Sequence, residues 1–269
     1  MSGVDRISVL PDAILLHILS FLPSKTVVAT SILSRMWRNL WRSVPTVDLD
    51  DSPFRERPDR FLPFAYALIF SRDITQPILN IRLKCENSSI APSDVSVWLK
   101  RAIQRKLETI DLSFSCFSPM KLPAEIFTCS SLVVLKLMNV TVDLTSTVHL
   151  PLLKTLHIDL VKFSKGKYLE IILSGCPNIH HLQIKRLVLP PSFIPLGVTF
   201  PNLIHVVLFV CKCKWFWIVR LLNSSPLLQV LDVGGVSGNS RFFCFLFSII
   251  LSVLKISLLY FVVLELLSG

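Results

Sequence analysis

None of the short motifs that mark common catalytic scaffolds is present in this chain of 269 residues. It has no GxSxG nucleophile elbow, no Walker phosphate loop, no GxGxxG and no HExxH. The glycines of "VGGVSGNS" fit none of those spacings. A disulfide framework is missing as well, because the seven cysteines are odd in number and scattered. That usage points to a reducing compartment, cytoplasmic or nuclear. Cys211 and Cys213 make one CxC pair with Trp215 and Trp217 nearby, but no second pair completes a tetrahedral metal set. They read as structural cysteines, and His180 and His181 read as surface rather than ligands. No catalytic residue, metal or cofactor is therefore expected.

Charge is also scarce. Charged residues make up 17% of the chain against 52% apolar ones, the opposite of the signature of disorder. The formal charge of +10 is uneven: residues 1–112 hold 15 Lys/Arg against 12 Asp/Glu, and residues 113–269 hold 13 against 6. No Lys/Arg run is dense enough to make a phosphate-binding stripe, so nucleic acid is not an expected partner. No small-residue cleavage site follows the oily N-terminal segment, which Pro11, Asp12 and His17 interrupt, so it does not read as a signal peptide.

What that segment does contain is helix chemistry. Pro11 suits a first helical position and Asp12 complements a helix N-terminus, which predicts a helix from about Pro11 to Leu22, stopped by Pro23. Ser24 is placed to cap a second helix through about Thr30, and Ser34 a third through about Arg42. Ile14, Leu15, Ile18, Leu19 and Leu22 gather on one face of the first helix. Leu33, Trp37, Leu40 and Trp41 form a similar stripe on the third. Three such helices carry more apolar surface than they can cover among themselves. The excess either packs on the rest of the chain or forms a partner-binding face.

The stretch "DRISVLPDAILLHILSFLPSKTVVATSILSRMWRNLW", from Asp5 to Trp41, resembles the F-box of plant F-box proteins in its opening, its "ILSFLP" centre and its "TSxLSRxWRxLW" close. Met36 stands where a basic residue is more usual. The resemblance implies a three-helix F-box that binds the Skp-type adaptor of a cullin-based ubiquitin ligase. Its adaptor-facing positions would be Leu10, Pro11, Ile14, Leu15, Ile18, Leu19, Leu22, Pro23 and Val27.

Further along, a pattern of apolar-x-x-apolar-x-apolar recurs, starting at Ile78, Leu107, Leu132, Leu153, Ile179, Leu203 and Leu228. The starts are 29, 25, 21, 26, 24 and 25 residues apart, in or near the leucine-rich-repeat range. Pro151, Pro177, Pro201 and Pro226 each lie two residues before a start, where proline favours extended chain. "DVSVWLKRAI", "KYLEIIL" and "WFWIVRLL" read as short outer helices. The expected fold is an α/β solenoid: an N-terminal three-helix module, then a curved array of short parallel strands with helices outside. Positions pointing outward on the concave strand face would include Lys136, Lys154, Thr155, His157, His180, His181, Gln183, Lys185, His205 and Gln229. The passages "LPAEIFTCSSLVVLKL" and "SGCPNI" also resemble the leucine-rich repeats that follow the F-box in a large plant group. In that group the repeats are thought to choose the protein to be ubiquitinated. Many of its members carry a further FBD domain, which is not found in this sequence.

The expected organisation is an F-box at 5–42, a connecting segment at 43–75, about seven irregular repeats at 76–240 and a hydrophobic tail at 241–269. Residues 242–264 are long enough to span a bilayer as a helix and contain one charge, Lys255. Three readings stay open for them: a membrane tail anchor, a packed terminal segment, and a non-native or truncated end. The expected function is that of a substrate-recognition subunit of a Skp-cullin-F-box ubiquitin ligase, with no catalysis of its own. The alternatives are a leucine-rich-repeat interaction module outside any ligase, held at a membrane by the tail or not, and a truncated chain without function.

Overall fold

The computed structural model of the chain describes residues 7, 9–72, 75–86, 90–115, 120–145, 147–187, 198–209 and 220–234. Two short helices come first, α1 (Asp12–Leu19) and α2 (Ser24–Ala29). Helix α1 stops three residues earlier than its apolar stripe predicts. The Ser20 hydroxyl turns back to donate to the His17 carbonyl at 2.7 Å, and the amides of Phe21 and Leu22 bond three residues back instead of four. The expected third helix is not an α-helix. Residues 35–39 run as turns and only Leu40–Ser43 close a 3-10 turn. Trp37 and Leu40 are both buried at a spacing of three, the period of a 3-10 helix, whereas Leu33 is exposed.

The chain then alternates strands with outer segments: β1 (Thr46–Asp50), α3 (Phe61–Phe70), β2 (Asn80–Cys85), α4 (Pro92–Ile103), β3 (Thr109–Phe114) and β4 (Met120–Lys121). It continues through β5 (Val134–Met138), β6 (Val140–Val142), β7 (Thr155–Asp159), β8 (Lys162–Phe163), α5 (Tyr168–Ser174), β9 (His181–Lys185), β10 (His205–Phe209) and β11 (Val230–Gly234). Eight strands form one parallel sheet in the order β1-β2-β3-β5-β7-β9-β10-β11, and β4, β6 and β8 form a second, small parallel sheet. Parallel neighbours need a crossover between them, and the outer segments supply it. Two of the three outer helices read from sequence are α4 and α5. Of the third, residues 220–223 are helical and 215–219 lie outside the described residues. The shortest interval, between β5 and β7, has no helix at all.

Why the strands sit where they do follows from the repeated triplet. Its first residue is buried just before the strand, and its second and third are the inward residues of the strand, as in Leu132, Leu135 and Leu137. One apolar core runs under the whole sheet from Val47 to Leu231. Each strand is locked to the next by a shared carbonyl. The oxygen of Val133 accepts the amides of Lys154 and Thr155, that of Lys154 accepts His180 and His181, and that of His180 accepts Ile204 and His205. Pro45, Leu79, Glu108 and Ile204 do the same at their own strands. The opposite corner repeats too: Asn139, Leu160 and Arg186 each follow a strand with φ of 54°, 52° and 48°, turning the chain out of the sheet without glycine.

The segment 43–75, expected only to connect, contributes a strand and a helix. Val44, Val47 and Leu49 satisfy the same apolar triplet and are all buried, and β1 pairs with β2 from Thr46↔Asn80 to Asp50↔Lys84. The first module is fixed to this strand. The Ser24 hydroxyl, expected to cap α2, instead accepts the Asp48 amide at 2.8 Å. Lys25 Nζ donates to the Pro53 carbonyl at 2.9 Å and lies over the Phe54 ring. Arg72, almost fully buried, donates to the carbonyls of Leu68 and Val44, with longer contacts to those of Arg42 and Thr46. Burial, reinforced by the nearby Arg105 charge, lowers the Arg72 pKa to about 10, so it remains a cation at neutral pH.

Candidate functional site

The apolar residues of the first module divide into two sets. Leu15, Leu19 and Val27 are buried with Trp37, Leu40 and Val44 in a small core of their own. Ile14 and Ile18, one position earlier on each turn of α1, are 47% and 45% exposed where Leu15 and Leu19 are 0% and 1%. Successive helical residues lie about 100° apart, so a wide apolar stripe has an inner and an outer edge. Of the nine positions singled out in the sequence, Leu10, Pro11, Ile14, Ile18, Leu22 and Pro23 are exposed. Leu15, Leu19 and Val27 are not available at the surface and hold the module together.

The exposed set is larger than the sequence stripe. Ile7, Val9, Phe21, Ile32, Leu33 and Met36 are exposed as well, Phe21 at 74% and Ile32 at 85%. Helical periodicity misses all of them but Leu33, which it places in the stripe of the expected third helix, because they lie outside α1 and α2. What marks them is their density: ten large apolar side chains stand exposed between residues 7 and 36, against five elsewhere among the described residues. Clustered exposure of that kind marks an interaction surface.

A second surface is the outward face of the large sheet. Register lines up three rows across the strands. The middle row runs Asp48, Arg82, Asp111, Lys136, His157, Gln183, Val207, Asp232. Charge alternates along it as far as Lys136 and then stops. A flanking row carries Asp50, Lys84, Ser113, Met138, Asp159, Lys185 and Phe209, and the other places Thr155, His181 and His205 side by side. The outward residues expected from sequence are thus confirmed on strands for Lys136, Thr155, His157, His181, Gln183, Lys185 and His205. Lys154, His180 and Gln229 instead precede their strands, and His180 Nδ1 is 2.7 Å from the Asn178 carbonyl. Sequence reading missed Asp48, Arg82 and Asp111, which occupy x positions of the triplet pattern, and Asp159, which directly follows the last apolar residue of its triplet.

The electrostatics of the face are set by its pairings. Both Asp159 oxygens are held by Arg186, whose Nε and Nη2 each donate at 2.7 Å. Lys84 bridges Glu86 at 3.0 Å and lies 3.8 Å from Asp50. Burial lowers the His157 pKa, and Lys136 and Lys185 lower it further, with Asp111 opposing. Burial also lowers that of His181, with the neighbouring His205 and His180 adding to the effect. The rings of His181 and His205 meet edge to face at 5.8 Å.

Among the described residues no group of three His, Cys, Asp or Glu is placed to hold a metal. Cys85, Cys129 and Cys176 are buried and in no disulfide, and burial pushes the Cys176 thiol up to about 12. A cavity of about 340 Å³ beside β1 is lined by Asp51, Arg55, Glu86 and apolar neighbours, but Glu86 is already paired with Arg55 at 2.5 Å. No helix among the described residues is long and apolar enough to cross a membrane, and the stretch 242–264, like Cys211 and Cys213, lies outside them.

Comparison with known proteins matches two segments of the chain to families. Residues 7–48 match the F-box domain, and residues 95–193 match the leucine-rich repeats of the FBD-associated F-box protein At5g56370 group. In Arabidopsis thaliana, F-box/FBD/LRR-repeat protein At4g00160 is 35% identical over 188 residues, covering 68% of this chain and 42% of that protein. F-box/LRR-repeat protein 13 is 36% identical over 189 residues, covering 68% and 41%. F-box/FBD/LRR-repeat protein At5g56420 is 39% identical over 188 residues, covering 68% and 44%. The chain spans about two fifths of the length of these relatives. An apolar N-terminal module set on the first strand of a parallel repeat sheet is thus found together with both family matches, and the chain belongs to the plant F-box/leucine-rich-repeat family.

Proposed function

We propose that this chain is a substrate-recognition subunit of a Skp-cullin-F-box ubiquitin ligase. The observation that carries the reading is the outer edge of α1 and its flanking turns: Leu10, Ile14, Ile18, Phe21 and Leu22 remain exposed beside an inner edge, Leu15 and Leu19, that is buried. Apolar side chains left out of a formed core gain about 1.5 to 3 kcal/mol each when fully covered by a partner, before association costs are subtracted. A Skp-type adaptor is the partner the F-box match supports, with the cullin scaffold reached through it. Leu10, Pro11, Ile14, Ile18, Leu22 and Pro23 would touch the adaptor, and Leu15, Leu19 and Val27 would support them from beneath.

The sheet, continued as a solenoid, would bind the target protein on its strand face. Such a receptor needs no catalytic group, because it acts by raising the target's concentration beside the catalytic assembly. Cytoplasm or nucleus is the compartment this reading requires. Capture by a purified Skp-type adaptor tests the first half. Ile18→Asp and the pair Leu10→Ala with Pro11→Ala should each reduce capture at least tenfold without lowering the unfolding midpoint. Undiminished capture by both variants would sink the assignment.

A further inference from the structure

Resting on the reading of the sheet as the target-binding part, we propose that the target segment is acidic and docks over strands β5, β7 and β9, between Lys136 and Lys185. The argument is one of unmatched charge. Up to β3 the face balances itself, each cationic side chain lying beside a carboxylate in the next strand. Beyond Lys136 that balance fails. Lys136 shares its one register carboxylate, Asp111, with Arg82 and has His157 on the other side, and no carboxylate lies within ion-pair distance of it among the described residues.

Lys185 is the sharper case. Its register partner on β7 is Asp159, a ready counter-ion, yet both oxygens of Asp159 are taken by Arg186 at 2.7 Å. The Lys185 ammonium rests over the Phe209 ring at 5.3 Å instead. Two lysines in no ion pair among the described residues thus stand two strands apart, about 10 Å across the sheet at ordinary strand spacing. Between them lie the His157 ring and the Gln183 amide, which can donate hydrogen bonds. Carboxylates supplied by an extended segment would complete the pairings that the face leaves open.

The test uses the full chain and three fluorescein-labelled twelve-residue peptides, alternating serine with glutamate, glutamine or lysine. The glutamate peptide should bind at least tenfold more tightly than the glutamine peptide, and the lysine peptide should not bind. Lys136→Glu with Lys185→Glu should abolish binding, while Lys167→Glu, on an exposed lysine away from the face, should change it less than twofold. Asp159→Asn should strengthen binding several-fold, a gain that a misfolded variant cannot imitate. Equal affinity for the glutamate and glutamine peptides would overturn the proposal. So would an equal loss with Lys167→Glu, or equal binding of a single-stranded oligonucleotide of the same charge, which would make the face a general polyanion site. Adaptor capture is measured on the same preparation: capture without peptide binding refutes this inference alone, and peptide binding without capture refutes the ligase reading alone.

Discussion

The side-chain oxygen of Ser24 accepts the backbone amide of Asp48 at 2.8 Å, so the first residue of α2 covers part of the outer edge of β1. Ser24 is nearly fully buried. Replacing Ser24 with alanine leaves a buried amide without its acceptor and should cost about 1 to 3 kcal/mol. Urea unfolding of Ser24→Ala against the parent chain measures it. A change below the error of the method would mean that the edge is not held this way.

Arg72 joins the same two parts from the other side. Its guanidinium serves carbonyls at Leu68, Val44, Arg42 and Thr46, and a methionine of similar length has no donor for them. Arg72→Met should therefore destabilise by several kcal/mol, in the range for breaking a buried charged network. Arg72→Lys should recover little, since a single ammonium cannot reproduce the planar fork. Thermal unfolding of both variants decides the point.

Gly175 ends α5 with its α-carbon against the preceding outer segment. A β-carbon there would lie 2.5 Å from Val148 Cγ1 and 2.7 Å from the Val148 carbonyl oxygen. The clash is partly with backbone, which cannot swing aside. Gly175→Ala should cost about 1 to 3 kcal/mol, as overpacking does. Ser174→Ala, next to it and exposed, should stay within about 0.5 kcal/mol in the same measurement.

Acid should weaken the fold through its strand face. His157 and His181 have pKa values lowered below the ordinary 6.5, chiefly by burial. Between the folded and unfolded values the unfolded chain binds more protons, so stability falls as pH drops below about 6.5 and levels off once the folded groups also titrate. His157→Gln should flatten part of the stability slope between about pH 7 and 5. An unchanged slope would place the acid sensitivity elsewhere.

Leu160 holds φ at 52° with a side chain that gains nothing from that conformation and is 39% exposed. Asparagine tolerates the left-handed region better, and the same corner of the preceding unit already has Asn139. Leu160→Asn should raise stability by about 0.5 to 1 kcal/mol on denaturant unfolding. A loss would show that the Leu160 side chain contributes packing that outweighs the strain.

Much of this architecture was legible in the sequence because the triplet is a local signal. Leu135 and Leu137 fall inward by strand alternation whatever surrounds them, and the seven expected starts lie at seven strands. The first strand escaped because Val44 precedes Ile78 by 34 residues, longer than the other intervals, so its triplet does not stand out. The split between Ile14 and Leu15 escaped for a different reason. Periodicity gives a face, but which edge of that face is covered depends on Trp37, Leu40 and Val44, distant in sequence and folded back as turns. The pairing of Asp159 with Arg186 needed the corner at Arg186, whose φ of 48° returns its side chain to the preceding strand.

The shared carbonyls at Pro45, Leu79, Glu108, Val133, Lys154, His180 and Ile204 hold the strands in step by backbone atoms alone. Side chains have no vote there, and the outer segments, which differ from helix to bare loop, do not disturb the step. The two surfaces of the chain are therefore free to change independently: residues outside can lengthen, shorten or be replaced while the rows on the strand face keep their alignment. A recognition surface built this way can be rewritten one row position at a time, without the fold having to be solved again.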